Sequence, residues 1–303
     1  PFKLNIIMKT FLSAIFFVFM AFQLFSQDSE LEQTGLPGDN FSLEGALELF
    51  KKSVSPEEFE KALNTADNHV NNLDLNEDGE TDYITVLGRR DKDLHIFVLQ
   101  IPVSESEKQD IAVIEIEKTG DENAILQIVG DEDIYGEEII IEPSDGNDEP
   151  TEEVKRGPAS VNYATLVVNV WAWPSVRFVY APGYTPWVSP WRWRNYPIWW
   201  KPWRPLGWAV WHPFRVRHYH PTIRVTHAHR VVHAHRIYKP VRVSSTTVRV
   251  KHEGARANYK VNKSKTKVTG PRGNSVTKKS TTVRGPKGNV RGQKTTVKRS
   301  RKN

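Results

Sequence analysis

Between Phe41 and Pro143 the apolar positions first recur every three to four residues and later gather in short Ile/Val-rich runs. Leu43, Ala46, Leu47 and Phe50 share one face of a helix over Ser42–Lys52. Ser55-Pro56-Glu57-Glu58 then reads as a capping box, with Ser at the N-cap, Pro at the first helical position and Glu at the third. It predicts a second helix to about Asn64, burying Phe59 and Leu63. Five short Ile/Val-rich runs come next: Tyr83–Leu87, Leu94–Ile101, Ile111–Glu117, Ala124–Val129 and Glu138–Ile141. Gly88, Pro102, Gly120 and Gly130 bound them. No helical pattern separates the runs, so an antiparallel meander is expected rather than a parallel sheet. The expected class is α+β: two short N-terminal helices, an acidic loop and a β-meander, followed by a largely irregular basic tail.

The pattern changes on both sides of this 41–143 unit. Met8-Lys9-Thr10 followed by Phe11–Phe25 reads as an export signal, a short basic start before an apolar run. Residues 1–27 are therefore assigned to upstream residues plus signal, with Met8 as initiator, and 28–40 to a linker. Residues 144–158 form a polar, acidic linker, and 159–180 an apolar segment expected to supply one or two strands. All ten Trp lie between Trp171 and Trp211, mixed with Pro and Arg. The 181–240 tract ends in a His-rich stretch. The 241–303 tail has Val as almost its sole aliphatic residue, and Val268-Thr-Gly-Pro-Arg-Gly-Asn recurs as Val283-Arg-Gly-Pro-Lys-Gly-Asn. Such a tail buries too little apolar surface to offset backbone entropy. Its repeat reads as turns between short Thr/Val strands, or as disorder. Residues 28–150 are expected to fold alone and 241–303 are not.

Charge divides the chain in the same way. Residues 28–153 hold thirty-five of the thirty-six acids and eight basic residues, whereas 154–303 hold thirty-two basic residues and one acid, Glu253. The halves carry −27 and +31, beneath a net charge of +6. A basic tail of this kind binds polyanions by counterion release, without reading sequence. An anionic envelope surface, lipopolysaccharide, acidic polysaccharide, non-specific nucleic acid and the chain's own acidic domain are all candidates. The absence of cysteine rules out a disulfide framework.

Asp74-Leu-Asn76-Glu-Asp78-Gly79-Glu80-Thr-Asp82 places oxygen donors at alternate positions of a tight loop, the arrangement a hard cation requires. Asp74, Asn76 and Asp78 would give side-chain oxygens, Glu80 its carbonyl, and Asp82 would close the site directly or through water. The segment resembles the D-x-N-x-D-G-x-x-D loops of FG-GAP and VCBS repeats and the first nine positions of EF-hand and dockerin loops. That resemblance implies calcium. The twelfth position is Thr85 instead of a bidentate Glu, and the residues after the loop are strand-like. The second acidic turn, Asp131–Gly136, lacks the spacing and reads as an inter-strand loop.

The Trp/Pro/Arg tract has three readings: an indole-rich membrane interface, a stacking surface for sugars or bases, and a wrap over the acidic domain. His227-Ala-His229 and His233-Ala-His235 have two readings. In an extended chain each pair shares a face and could chelate zinc, copper or nickel. Otherwise they belong to a low-complexity His/Arg strand with no defined site, since Arg230 and Arg236 flank them and no carboxylate lies nearby in sequence. His69 and His95 read as structural. No catalytic signature is present: no G-x-S-x-G, H-E-x-x-H, glycine-rich nucleotide loop or cysteine nucleophile. A hydrolase working through paired carboxylates would need a deep acidic cleft in 41–143.

Val70 to Gly79 (V-N-N-L-D-L-N-x-D-G), the run Gly183-Tyr-Thr-Pro-Trp-Val-Ser-Pro-Trp-Arg-Trp and the His-rich then Thr/Lys/Gly tail together resemble a group of exported bacterial proteins. The resemblance covers most of the chain after the signal. It implies export and this layout, and brings no activity with it. The expected function is a non-enzymatic, calcium-binding exported protein whose cationic aromatic tail associates with anionic surfaces. A His-based transition-metal-binding protein is the alternative.

Overall fold

The computed structural model describes residues 33–145, 167–218, 222–226, 228–269, 275–284 and 290–300. The expected export signal, most of the acidic linker, His227 and the two Gly-Pro-x-Gly turns lie outside the described residues.

Helix α1 (Leu43–Lys52) starts at Ser42, whose side chain accepts from the Gly45 amide, and turns Leu43, Ala46, Leu47 and Phe50 inward. Helix α2 (Pro56–Leu63) starts at Ser55, whose Oγ accepts from Glu58 N at 3.1 Å. Glu58 reaches back to the Val54 amide at 2.7 Å, one residue earlier than the capping box assigns. Phe59 and Leu63 are fully buried.

The sheet is an antiparallel meander in sequence order: β1 (Thr85–Asp91), β2 (Leu94–Pro102), β3 (Lys108–Gly120), β4 (Asn123–Gly130), β5 (Ile139–Pro143) and β6 (Ile223–Thr226). Five strands come from the acidic half. The sixth is brought from the basic half and pairs its Val225 with Ile141. The period of two sorts the side chains into two layers. Phe97, Leu99, Ile114, Ile116, Leu126 and Ile128 join α1 and α2 in the main core. Ile96, Val98, Val113, Val129 and Ile140 face the other way.

That second layer is covered by the basic half. Helix α3 (Glu132–Tyr135) fills the turn between β4 and β5. Helix α4 (Pro174–Val179) lies where the 159–180 segment led us to expect strand. Its Pro174 occupies the first turn, where no amide is needed, and Val176 and Val179 enter the main core. Helix α5 (Trp208–Val216) buries Trp211, whose indole N–H donates to Asp39 O at 2.9 Å. Helix α6 (Val232–Tyr238) lays Ala234 and Tyr238, with Val231 just before it, on the second face of the sheet. Helix α7 (Thr246–Lys251) sends Val248 into the main core, and α8 (Glu253–Asn258) comes after it. The tail, read as turns between short Thr/Val strands or as disorder, forms among its described residues a three-stranded antiparallel sheet, β7 (Lys260–Thr269), β8 (Ser275–Arg284) and β9 (Val290–Ser300). Among the described residues no helix is long and apolar enough to cross a membrane.

Complementary charge explains the wrap. Glu142, nearly fully buried, accepts from Arg224 Nε at 2.6 Å and Arg230 Nε at 2.8 Å. Arg242 bonds both Asp131 and Asp133, and Arg256 reaches Asp133 at 2.9 Å. The second acidic turn is thus a cation-paired cap. Buried carboxylates on this face are tolerable because each meets a cation or a hydrogen-bond donor.

Candidate metal centre

Glu115 stands mid-strand in β3, paired in register with Ile96 on one side and Gln127 on the other, and is fully buried. Its burial raises the carboxyl above the ordinary range, opposed by the His235 hydrogen bond. His235 Nδ1 lies 2.9 Å from Glu115 Oε1. That bond is the main cause holding the imidazole above its usual value, while burial opposes it. His229 stacks on His235 with ring centroids 4.0 Å apart. Burial, and then the neighbouring His235, lower its pKa.

Glu138, just before β5, completes the group. Its Oε2 is 3.3 Å from His229 Nε2 and its Oε1 is 3.9 Å from His235 Nε2. Burial raises the Glu138 pKa, but the Lys239 ammonium bonded to Oε1, with His235 and His229, outweighs it and leaves the carboxyl low. One ligand atom each from Glu115, His229 and His235 lies within 4.8 Å of the others. Among the described residues, Glu115 Oε2 and His229 Nδ1 are buried without a hydrogen-bond partner.

The frame that holds these groups is specific. Gln127 Nε2 donates to Ala228 O at 2.9 Å, and its Oε1 accepts from Arg230 N at 2.8 Å. Both flanks of His229 are therefore fixed to β4. At the other end of α6, Tyr238 donates to Asp110 Oδ2 at 3.1 Å.

In the second repeat the two histidines do not form a chelating pair. His233 and His235 are helical, so the two side chains diverge, and His233 lies 3.2 Å from Glu117 with most of its surface exposed. The structure joins one His from each repeat, His229 and His235, and adds Glu115 and Glu138. His227 lies outside the described residues. The view that no carboxylate stands near these histidines is corrected, because β3 and the α3–β5 turn supply them.

The acidic loop is built from its own side chains. Asp74 accepts from the amides of Asp78 and Gly79, Asn76 Oδ1 from Asp78 N, and Asp78 Oδ1 from Glu80 N, at 2.9–3.1 Å. Gly79 bends the chain at φ +86°. Asp82 is buried and accepts from Leu75 N at 2.6 Å. Burial first, then Asp74 and Asp78, push its carboxyl up to about 8 against that hydrogen bond. Among the described residues, the group of three His, Asp or Glu ligand atoms within 4.8 Å is the Glu115–His229–His235 one, not the loop carboxylates.

The cavities lined by Ser55, Glu57, Phe178, Tyr184 and Trp187, and by Gly136, Thr246, Arg249, Glu253 and Arg256, each carry one carboxylate, so neither holds an acid/base pair. The fold and this centre define an α+β protein with a half-buried His/Glu cluster. No family model matches the chain, and no curated protein or solved structure shows significant similarity to it.

Proposed function

We propose that this chain is an exported, non-enzymatic protein that binds a transition-metal ion through Glu115, His229 and His235. Glu138 or water would take the fourth position. The observation that carries the reading is the convergence of three donors within 4.8 Å around a buried carboxylate. Tetrahedral zinc needs donors roughly 3.3 Å apart, a contraction that small side-chain rotations deliver. Imidazole suits zinc, copper and nickel alike, and the Gln127 clips on the backbone beside His229 supply the supporting shell such a site needs. Titration calorimetry with zinc is expected to give one site per chain, weakened at least tenfold by Glu115→Gln or His235→Ala and unchanged by His233→Ala. Unaltered binding in Glu115→Gln and His235→Ala would rule this site out.

A second reading, calcium in the 74–82 loop, is supported by Asp82. A buried carboxyl raised to about 8 beside Asp74 and Asp78 is the electrostatic condition a divalent cation relieves. Calcium is expected to raise the melting temperature of the parent and not of Asp82→Asn, which keeps the acceptor for Leu75. Equal shifts in both proteins would leave the loop a plain turn.

A further inference from the structure

One turn within the Trp/Pro/Arg tract presents large apolar side chains to water. Pro197 and Trp200 close a tight turn through a bond from Trp200 N to Pro197 O of 3.0 Å. Its two central residues are Ile198 and Trp199. Such positions favour Gly, Asn, Asp or Ser, which tolerate water and turn geometry. Here Ile198 is 100% exposed and Trp199 47%.

The turn is firmly seated. Pro197 is buried, and Trp200, 7% exposed, packs edge-on against Tyr83 and Tyr196 with centroids 5.1 and 4.7 Å away. The strand-like approach is fixed by Ser189, whose Oγ donates to Glu60 and whose amide donates to Val86 O. On the far side Trp203 O accepts from Thr81 N at 2.8 Å. Ile198 and half of Trp199 are thus presented to water from a backbone already hydrogen-bonded in place, which lowers the ordering cost of burying them.

Cations flank them in sequence. Arg192, Arg194, Lys201 and Arg204 are all exposed. Arg192 and Arg194 sit in a neighbouring tight turn, closed by Asn195 N to Arg192 O at 2.8 Å, with Arg194 in the left-handed region at φ +57°. Residues 154–252 contain no acid at all. The opposing charges are Asp78 and Glu80, exposed on the adjoining loop. Trp199 also lies 5.6 Å from the Lys61 ammonium, so this indole already has a cation at its face.

We propose that the Ile198–Trp199 turn is an interfacial anchor that inserts into an anionic phospholipid surface, with Arg192, Arg194, Lys201 and Arg204 contacting the phosphates around it. An indole is at home at the headgroup level, Ile adds apolar area below it, and each cation near such a surface adds attraction that salt screens. A sugar- or base-stacking surface would need flat, accessible aromatic faces in series. Here the neighbouring Trp200 is buried and the most exposed residue is aliphatic, which matches lipid instead.

The test is co-sedimentation of the purified protein with vesicles of phosphatidylglycerol and phosphatidylcholine, and with phosphatidylcholine alone. Binding to the anionic vesicles is expected, falling with salt. Ile198→Ser/Trp199→Ser should weaken it roughly tenfold or more, and Ile198→Ser alone, at a fully exposed side chain, should weaken it with an unchanged thermal midpoint. Arg192→Gln/Arg194→Gln/Lys201→Gln should weaken binding further and lower the salt dependence by the share of these three cations. If the apolar double variant binds like the parent, attraction to the 260–300 segment carries the interaction and the anchor is overturned. It is also overturned if the parent ignores vesicles, or if the double variant loses binding to a soluble acidic polysaccharide instead.

Discussion

His95 illustrates how one residue sets a pH limit on this fold. It is fully buried between Phe97, Tyr180 and Tyr184, and neither ring nitrogen has a hydrogen-bond partner among the described residues. Burial, and then Arg90, lower its pKa to about 4. The folded state therefore holds the neutral ring, whereas the unfolded chain takes up a proton near pH 6.5. Stability is fully present above that value and is lost as pH falls from about 6.5 towards 4, on the order of 3 kcal/mol at the lower end. His95→Phe, which keeps an aromatic ring in the cluster, should melt less steeply with acid than the parent. Parallel pH curves for the two proteins would show that His95 is not the responsible group. Glu115 is the opposite case. Its burial is tolerated through His235, and alternation along β3 marks it merely as sharing a face with Val113 and Glu117.

At the level of elements, the edge strand β1 is where the Trp tract is fastened. Gly88 N donates to Trp187 O at 2.6 Å, and a Cβ at position 88 would lie 2.8 Å from that same oxygen and 3.1 Å from Trp187 N. Backbone cannot step aside as a side-chain tip can. The Trp187 indole also donates to Glu60 at 3.2 Å, together with Tyr83 and Ser189 on that buried carboxylate. Gly88→Ala is expected to cost about 1–3 kcal/mol and to expose Trp187 to solvent quenchers. An unchanged melting curve would mean that the 184–189 segment can shift as a unit. Helix α6 makes a different use of geometry. Residues two apart on a helix point roughly 200° apart, so His235 reaches the buried Glu115 while His233 stays mostly exposed beside Glu117.

For the molecule as a whole, the core does not stop at Pro143. Val170, Val176, Val179 and Val248 are fully buried in the cluster built on α1, α2 and the sheet, and Trp211 is buried beside Asp39. Covering the second face requires Val231, Ala234 and Tyr238. A fragment ending at residue 150 exposes the surfaces that both sets cover and leaves Glu115, Glu142, Asp131 and Asp110 without the donors the basic half supplies. Contrary to the expectation from composition alone, it should lack a cooperative melt, while a fragment ending at residue 259 retains one. A sharp, parent-like transition in the 34–150 fragment would show that the wrap is dispensable. Much was legible in the sequence: the capped helices, the five strands and their antiparallel order, and the loop around Gly79. These rest on local rules of period, capping and turn chemistry. The strand expected within 159–180 proved helical in its described part, because short apolar runs beside Pro carry no unambiguous period. The cluster of Glu115, His229 and His235 was not legible. A period of two states which residues share a face of a sheet, but not which segment covers that face. Only the folded chain, by laying its cationic half across its acidic half, decided that histidines would meet a glutamate there.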